Sequence, residues 1–377
     1  MAGKRTLAIA AGLAAFVVAP VPAQAADGPP AQAAKGGNLT VMSQNLYLGA
    51  DLFPAVDAAS QGTTAFLLAA AKVYQQAMAS DFETRADAFA KTVKASKPDI
   101  IGLQEVTNWI AARKDPASGP ALQNQDFLAI VKRAFAAQGL TYKVVGISDN
   151  AAIGPFPYVD PATNCGAPTS VLPTEWPCRI QMKDRDVLLV NTQTKALNVT
   201  KKSVKTGLFT KQQTFAVAGQ TISFSRGYVY ADMTYKGAPF RMANTHLEVG
   251  GASEAIQNAQ AAQFVKIVRK GAKSVIATGD FNTDAYGTYS PSSYTTLTKY
   301  FTDAWNVNRD GQGLSCCQNA ELSNPVSENT TRIDLVLLRG KVTSKKSRNT
   351  NITPFRSVPV PLWESDHAGL VSKVRVK

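Results

Sequence analysis

Only two histidines occur in the 377-residue chain, and each lies in a short polar or acidic cluster. His246 sits in Asn244-Thr245-His246-Leu247-Glu248 and His367 in Ser365-Asp366-His367. Three further clusters share this character: Gln44-Asn45-Leu46, Leu103-Gln104-Glu105 and Gly279-Asp280-Phe281-Asn282. Each of these three follows a run of apolar, β-prone residues, so each is expected at a strand end. Loops held there by a rigid sheet are where reactive side chains collect.

The residue types suit phosphate chemistry. Asn45 and Glu105 can share a hard cation through oxygen ligands. Magnesium fits such a site because it takes one or two carboxylates and completes its shell with water and phosphate oxygens; manganese and calcium are the alternatives. Asp280 can orient or deprotonate a water. The Asn282 amide can donate to a non-bridging phosphate oxygen. His246 and His367 can hold a phosphate or pass protons, each steered by a carboxylate. Asp334, in Arg332-Ile333-Asp334, is the candidate orienter of His367, since its apolar neighbours predict a buried strand in which an unpaired carboxylate is costly.

Elements able to position these residues follow from periodicity. Strands are expected at 38–44, 99–103, 142–145, 187–191, 274–278, 332–338 and 369–376. A hairpin is expected from 227–235 and 240–245 about the Lys236-Gly237 turn. Helical spacing appears over 80–96, 121–138 and 252–270, with a further helix at 292–301. Several strands follow one another with no helix between them, which disfavours a doubly wound parallel sheet and favours two sheets with helices outside.

Residues 1–25 read as a secretory signal peptide. Lys4 and Arg5 precede an apolar run, and Ala23-Gln24-Ala25 is a small-residue cleavage pattern. Residues 26–37, rich in Ala, Gly and Pro, read as a flexible leader. The expected location is therefore secreted or periplasmic, after cleavage near Ala25, with no transmembrane segment. Four cysteines suit that compartment. Pairing Cys165 with Cys178 is the simplest choice, which leaves Cys316 and Cys317 as a vicinal bridge or as free thiols.

The chain is 45% hydrophobic and 18% charged, with a net charge of +13 that loss of Lys4 and Arg5 lowers by two. A positive field attracts polyanions such as nucleic acid, or anionic lipid headgroups. The charge clusters at 195–211 and 341–348, where few aromatics interleave, so a solvated face is the default for each cluster. Lys201, Lys202, Lys205 and Lys211 of the first cluster are expected to touch a polyanionic substrate, Lys201 and Lys202 foremost.

Taken in order, Gln44-Asn45-Leu46, Gly102-Leu103-Gln104-Glu105-Val106, Asn244-Thr245-His246-Leu247, Gly279-Asp280-Phe281-Asn282, Arg332-Ile333-Asp334 and Ser365-Asp366-His367 resemble the endonuclease/exonuclease/phosphatase superfamily, with its deoxyribonuclease-like fold. The resemblance runs from residue 38 to 377 as one domain. It implies an α+β fold, a four-layer α/β/β/α sandwich of two mostly antiparallel sheets flanked by helices. It also implies magnesium-dependent hydrolysis of a phosphoester by in-line attack of water. Carried over residue by residue, Asn45 and Glu105 hold the metal, and Asp366 serves the metal or the histidine. Asp280 positions the water, Asn282 and His246 stabilise the phosphoryl group, and Asp334 orients His367, which binds phosphate or acts as general acid. Arg185 stands near the place of a phosphate-contacting residue.

Family members cut DNA, RNA, sphingomyelin and inositol phosphates with one core, so the fold does not select the substrate. A nuclease, acting as a monomer, is the leading expectation. Phospholipid headgroup hydrolysis or phosphatase activity is the alternative, and a non-catalytic binding module is disfavoured because none of the matching catalytic positions is lost.

Overall fold

The computed structural model describes residues 36–119, 121–160, 165, 175–217 and 220–377. The expected signal peptide, and the leader up to residue 35, lie outside these residues.

Two sheets face each other. The first has eight strands. β1 (Gly37–Asn45), β2 (Ile100–Gln104), β3 (Asn108–Arg113), β4 (Gln125–Asp126), β5 (Tyr142–Tyr158), β6 (Cys178–Asn191), β16 (Val342–Asn349) and β17 (Leu370–Val376) run in the order β16-β17-β1-β2-β6-β3-β4, with β5 along β6. The second has seven. β7 (Leu197–Val199), β8 (Lys205–Leu208), β11 (Gly227–Tyr235), β12 (Ala238–His246), β13 (Val275–Asp280), β14 (Thr302–Asp303) and β15 (Asp334–Arg339) run in the order β14-β15-β13-β12-β11-β7, with β8 also on β11. Among the described residues only β1–β2 and β12–β13 pair in parallel; every other ladder is antiparallel. A separate two-stranded ribbon joins β9 (Gln213–Val217) to β10 (Gln220–Phe224).

The layers follow from which side chains each strand offers to which face. Leu39, Val41, Ile100, Leu188 and Val190 of the first sheet meet Val229, Met242, Ile276 and Val336 of the second in a core between them. Met42, Ile101, Leu103 and Leu189 point outward, onto α2 (Thr63–Ala79), α3 (Phe82–Ser96) and α4 (Phe127–Ala137). Ala243, Ala277, Leu335 and Leu337 cover the other outer face with α5 (Glu254–Arg269) and α6 (Pro291–Thr298). Strands covered on both faces read as unbroken apolar runs, which is why β13 and β15 were legible in sequence. The result is the expected four-layer sandwich.

Polar contacts cross the inter-sheet core just below the strand ends. Asn244 Nδ2 donates to the Leu103 carbonyl at 2.9 Å, while Asn244 Oδ1 accepts from Gln104 Nε2 at 2.7 Å and Thr278 Oγ1 at 3.0 Å. Gly102 makes this possible. A Cβ there would run into Asn244 Oδ1 and Thr278 Oγ1.

Two sequence expectations change in extent. The stretch 48–79, to which periodicity assigns no element, forms α1 (Phe53–Ala58) and α2. The strand read at 142–145 continues to Tyr158, because bulges between Val144 and Gly146, Asp149 and Ala152, and Ile153 and Phe156 reset its alternation. Cys165 is bonded to Cys178, and Cys316 to Cys317. Among the described residues no helix is long and apolar enough to cross a membrane.

Candidate active site

β1 and β2 run parallel in one sheet, β12 and β13 in the other, and the two pairs bring their C-terminal ends together, where Asn45 of the first sheet meets Asp280 of the second. Asn45, Glu105, His246 and Asp280 therefore emerge at one edge of the sandwich. β15 begins there with Asp334, facing Asp280 across the ladder. The loop entering β17 adds Asp366 and His367. Leaving the strand takes a left-handed residue at three places: Tyr47 (φ 56°), Glu105 (φ 54°) and Asn282 (φ 51°). Non-glycine residues hold this conformation only where the surroundings fix it, and such positions cluster at functional sites. Glu105 is fixed by Leu48 N–H, which donates to Oε2 at 2.7 Å.

Asp280 is the hub. Its Oδ2 accepts from Asn45 Nδ2 at 3.1 Å and lies 3.3 Å from His246 Nε2 and 3.7 Å from His367 Nε2. Its Oδ1 accepts from the Asn282 backbone N–H at 2.9 Å. Burial first, then the charge of Asp334, pushes the Asp280 carboxyl up to about 6, against the opposing pull of His367. His367 Nδ1 lies 2.8 Å from Asp334 Oδ2. Burial alone would strip the His367 proton, but Asp334, Asp366 and Asp280 hold it, and the ring stays protonated well above the ordinary histidine range.

His246 behaves in the opposite way. Burial, Arg226 and His367 drive it well below the ordinary range, so it is neutral. Arg226 Nη1 sits 2.9 Å from His246 Nδ1. A guanidinium only donates, so Nδ1 accepts and the ring proton lies on Nε2, facing Asp280. Asn282 Nδ2 donates to the Leu247 carbonyl at 2.9 Å and stands 3.0 Å from His246 Nε2. The two histidines, one charged and one neutral, thus flank a single carboxylate. Opposed shifts of neighbouring groups are a mark of acid–base sites.

These groups line a cavity of about 310 Å³ together with Tyr47, Glu105, Arg226, Glu248 and Asp366. The donor set suits a hard divalent cation. Burial, Asp366 and Asp184 push the Glu105 carboxyl up to about 7, and burial raises Asp366. These acids lack enough positive charge around them, a deficit that a cation would fill. The ligating atoms of Asp280, Asp334 and His367 also lie within 4.8 Å of one another.

Not every expected residue reaches the cavity in the expected way. Asn45 and Asp334 stand behind the lining residues. The Asn45 amide is engaged with Asp280 through Nδ2 and accepts from Tyr47 N–H through Oδ1 at 2.9 Å, so it braces the hub. Arg185 is not brought to the cavity. Alternation along β6 puts it on the face opposite Asp184 and Asp186, where it donates to the Val106 carbonyl and pairs with Asp126 at 2.5 Å. Lys201 and Lys202 are not brought there either. They form an exposed turn braced on Asp232 through the Thr200 and Ser203 contacts, six residues and roughly 20 Å along the strand direction from Arg226.

Sequence reasoning missed Arg226 altogether. It lies one residue before β11, and its side chain is 14% exposed between His246 and Glu248. A lone arginine in Ser225-Arg226-Gly227 carries no motif. The only signal was its place next to a glycine that opens a strand. Gly227 is needed there because a Cβ would meet Ser148 Oγ and the Gly207 carbonyl. Asp186, the residue after Arg185, belongs to no motif either. It is fully buried, and burial with the charge of Asp184 raises its carboxyl well above the ordinary range against the opposing pull of Asn150.

Residues 77–367 match the model of the endonuclease/exonuclease/phosphatase family. The chain belongs to this family. Members are phosphoester hydrolases. Comparison with curated protein sequences gave no match. Among solved structures, similar folds include an endonuclease/exonuclease/phosphatase family protein of Bacteroides thetaiotaomicron (TM-score 0.55, 16% identity, 91% of this chain and 99% of that one). A mannosyl-6-phosphatase of the same organism is also similar (0.52, 18%, 89% and 99%). So is D. rerio TDP2 complexed with a single-strand DNA product (0.51, 13%, 89% and 98%). At these identities the likeness concerns the fold.

Proposed function

We propose that this chain is a secreted phosphodiesterase that cleaves its substrate by in-line attack of water, assisted by a divalent cation, with magnesium the first choice. The observation that carries the reading is the junction at Asp280: one buried carboxylate between a neutral and a charged histidine, beside Glu105 and Asp366. A cation held by Glu105 and Asp366 would supply Lewis acidity and offset phosphate charge. Asp280, oriented by Asn45 and the Asn282 N–H, holds the attacking water and draws off its proton. Asn282 Nδ2, the Nε2 proton of His246 and Arg226 donate to the non-bridging oxygens as charge builds on them. His367, kept protonated by Asp334, gives its proton to the leaving oxygen.

The sequence ranked nucleic acid first as substrate, and the net charge of +13 still supports a polyanion. A second reading, an amphiphilic phosphoester, is favoured by the cavity wall, where Leu52, Phe53, Val56, Phe215 and Phe224 join the acids in the lining. The test is hydrolysis of plasmid DNA, RNA and sphingomyelin vesicles by the purified protein, with magnesium or with EDTA. Cleavage of at least one substrate that EDTA abolishes is expected. Hydrolysis of any of them at the same rate in EDTA would overturn the metal-assisted mechanism.

A further inference from the structure

A second cavity adjoins the catalytic one. It measures about 60 Å³, where one water needs roughly 10–15 Å³. Phe66, Trp109, Phe156, Met182, Ile222 and Phe224 are prominent in its lining. Leu52, Val56, Phe215 and Phe224 line both cavities, so the two lie side by side with these four side chains as their common wall. Its walls come from α1 and α2, the bulged halves of β5 and β6, and the ribbon β9–β10. Phe66 and Phe156 meet edge to face at 4.9 Å, as do Phe215 and Phe224 at 5.5 Å.

We propose that this cavity is an annex of the active site that takes a hydrocarbon chain carried by the substrate, an inference that rests on the phosphoesterase reading above. The lining decides the chemistry of the occupant. Of the side chains around it only Gln181 is a polar aliphatic, and the Trp109 indole N–H is already spent on the Leu48 carbonyl at 2.7 Å. A nucleobase would bring several donors and acceptors into a space able to satisfy one or two, and each orphaned group is costly. An alkyl or acyl chain brings none. Apolar cavities of this kind stay dry and accept apolar guests. Adjacency across Leu52, Val56, Phe215 and Phe224 places such a guest within reach of a phosphate near Asp280, so the substrate class of this proposal is a phosphoester with an apolar chain on one side of phosphorus. Phe53, 59% exposed beside Leu52, extends the apolar surface to the rim.

The probe is a series of p-nitrophenyl alkyl phosphodiesters, methyl, butyl and octyl, which share one leaving group. With magnesium, kcat/KM should rise roughly fourfold for each methylene taken from water until the annex is full. Ala70→Phe fills the annex from α2, and Ile222→Gln makes its wall polar from the ribbon. In each variant the octyl-to-methyl ratio should collapse toward one, and the ribbon variant keeps the test available where the helix variant unfolds. Magnesium-dependent hydrolysis at equal rates along the series would overturn the annex and leave the phosphoesterase reading standing. A thymidine p-nitrophenyl phosphodiester turned over faster than the octyl ester would overturn the choice of hydrocarbon over base. If no ester is hydrolysed, calorimetry decides. Octyl phosphate binding more tightly than inorganic phosphate, with the preference lost in Ala70→Phe, would uphold the annex and sink the catalytic reading, whereas equal binding would sink both.

Discussion

Asp334→Asn isolates the contribution of a residue that never touches the substrate. The carboxylate lies 2.8 Å from His367 Nδ1, and Asp334 is 1% exposed. A hydrogen bond to a charged group is worth about 1.5–3 kcal/mol, or roughly a 10–100-fold loss in rate at 1.36 kcal/mol per decade if only the placement of the ring suffers. If the proton on His367 is also used, the loss grows to the 10²–10⁴-fold typical of general acid catalysis. The pH profile separates the two. Asp334 is one of three acids holding the His367 proton, so its neutralisation should move the basic limb of kcat/KM to lower pH as well as lowering the plateau. The sign for stability is also fixed. A histidine raised in the folded state contributes stability that is present below its unfolded value near 6.5 and is lost as pH rises through the folded value. Urea unfolding should therefore show the largest gap between wild type and variant below about pH 6.5, on the order of 3–5 kcal/mol for a buried pair losing one partner. The gap should narrow as pH rises. His367→Ala in the Asp334→Asn background should cost little more. A basic limb that stays in place, in a folded variant, would refute the proton-holding role.

The remaining expectations follow from the same cavity and from the cysteines. Glu105→Gln and Asp280→Asn should each lower kcat by several orders of magnitude with unchanged circular dichroism, since one removes charge facing a cation and the other the base for water; near-wild-type rates in both would remove the site assignment. Magnesium binding followed by calorimetry should weaken as pH falls through about 7, where Glu105 takes up a proton that a cation must displace; an affinity flat from pH 8 to pH 5 would exclude that carboxylate as a ligand. The Cys165–Cys178 bond closes a sequence separation of 13, so the double replacement by serine should lower stability by about 2–4 kcal/mol in urea unfolding, with Cys316 and Cys317 left intact.

How far the fold could be read in advance depended on local signals. β13 and β15 were visible because both faces are covered and each carries an apolar run, 275–277 in β13 and 335–338 in β15. The acidic and amide residues that follow such runs stood out by contrast, and this brought Asn45, Glu105, His246, Asp280, Asn282, Asp334 and His367 into view together. α2 was overlooked within 48–79 although Phe66, Leu67, Ala70, Val73, Tyr74 and Ala77 keep helical spacing, because its alanine-rich face reads weakly against a polar, glycine-bearing approach. The long strands β5 and β6 were seen only in part, since each bulge shifts which residues face the core and erases the period of two. Arg226 and the Asp184–Asp186 pair were invisible for another reason. Their importance comes from neighbours brought close by the second sheet and by β6, and single charged residues carry no periodicity.

The polar contact at Asn244 sets a tolerance on the whole site. Glu105 belongs to one sheet and Asp280 and His246 to the other, so the width of the gap between them is the separation of the sheets just below. Apolar layers slide and repack with little penalty, since burial is non-directional. Hydrogen bonds hold donor and acceptor to within a few tenths of an ångström. With Asn244 gripping Leu103 and Gln104 across the core, and Thr278 steadying its amide from within the same sheet, the gap is gauged by two contacts of fixed length, while the greasy layers to either side can drift in composition without altering it. A side chain at position 102 would act as a shim, spreading both halves of the site at once while touching neither.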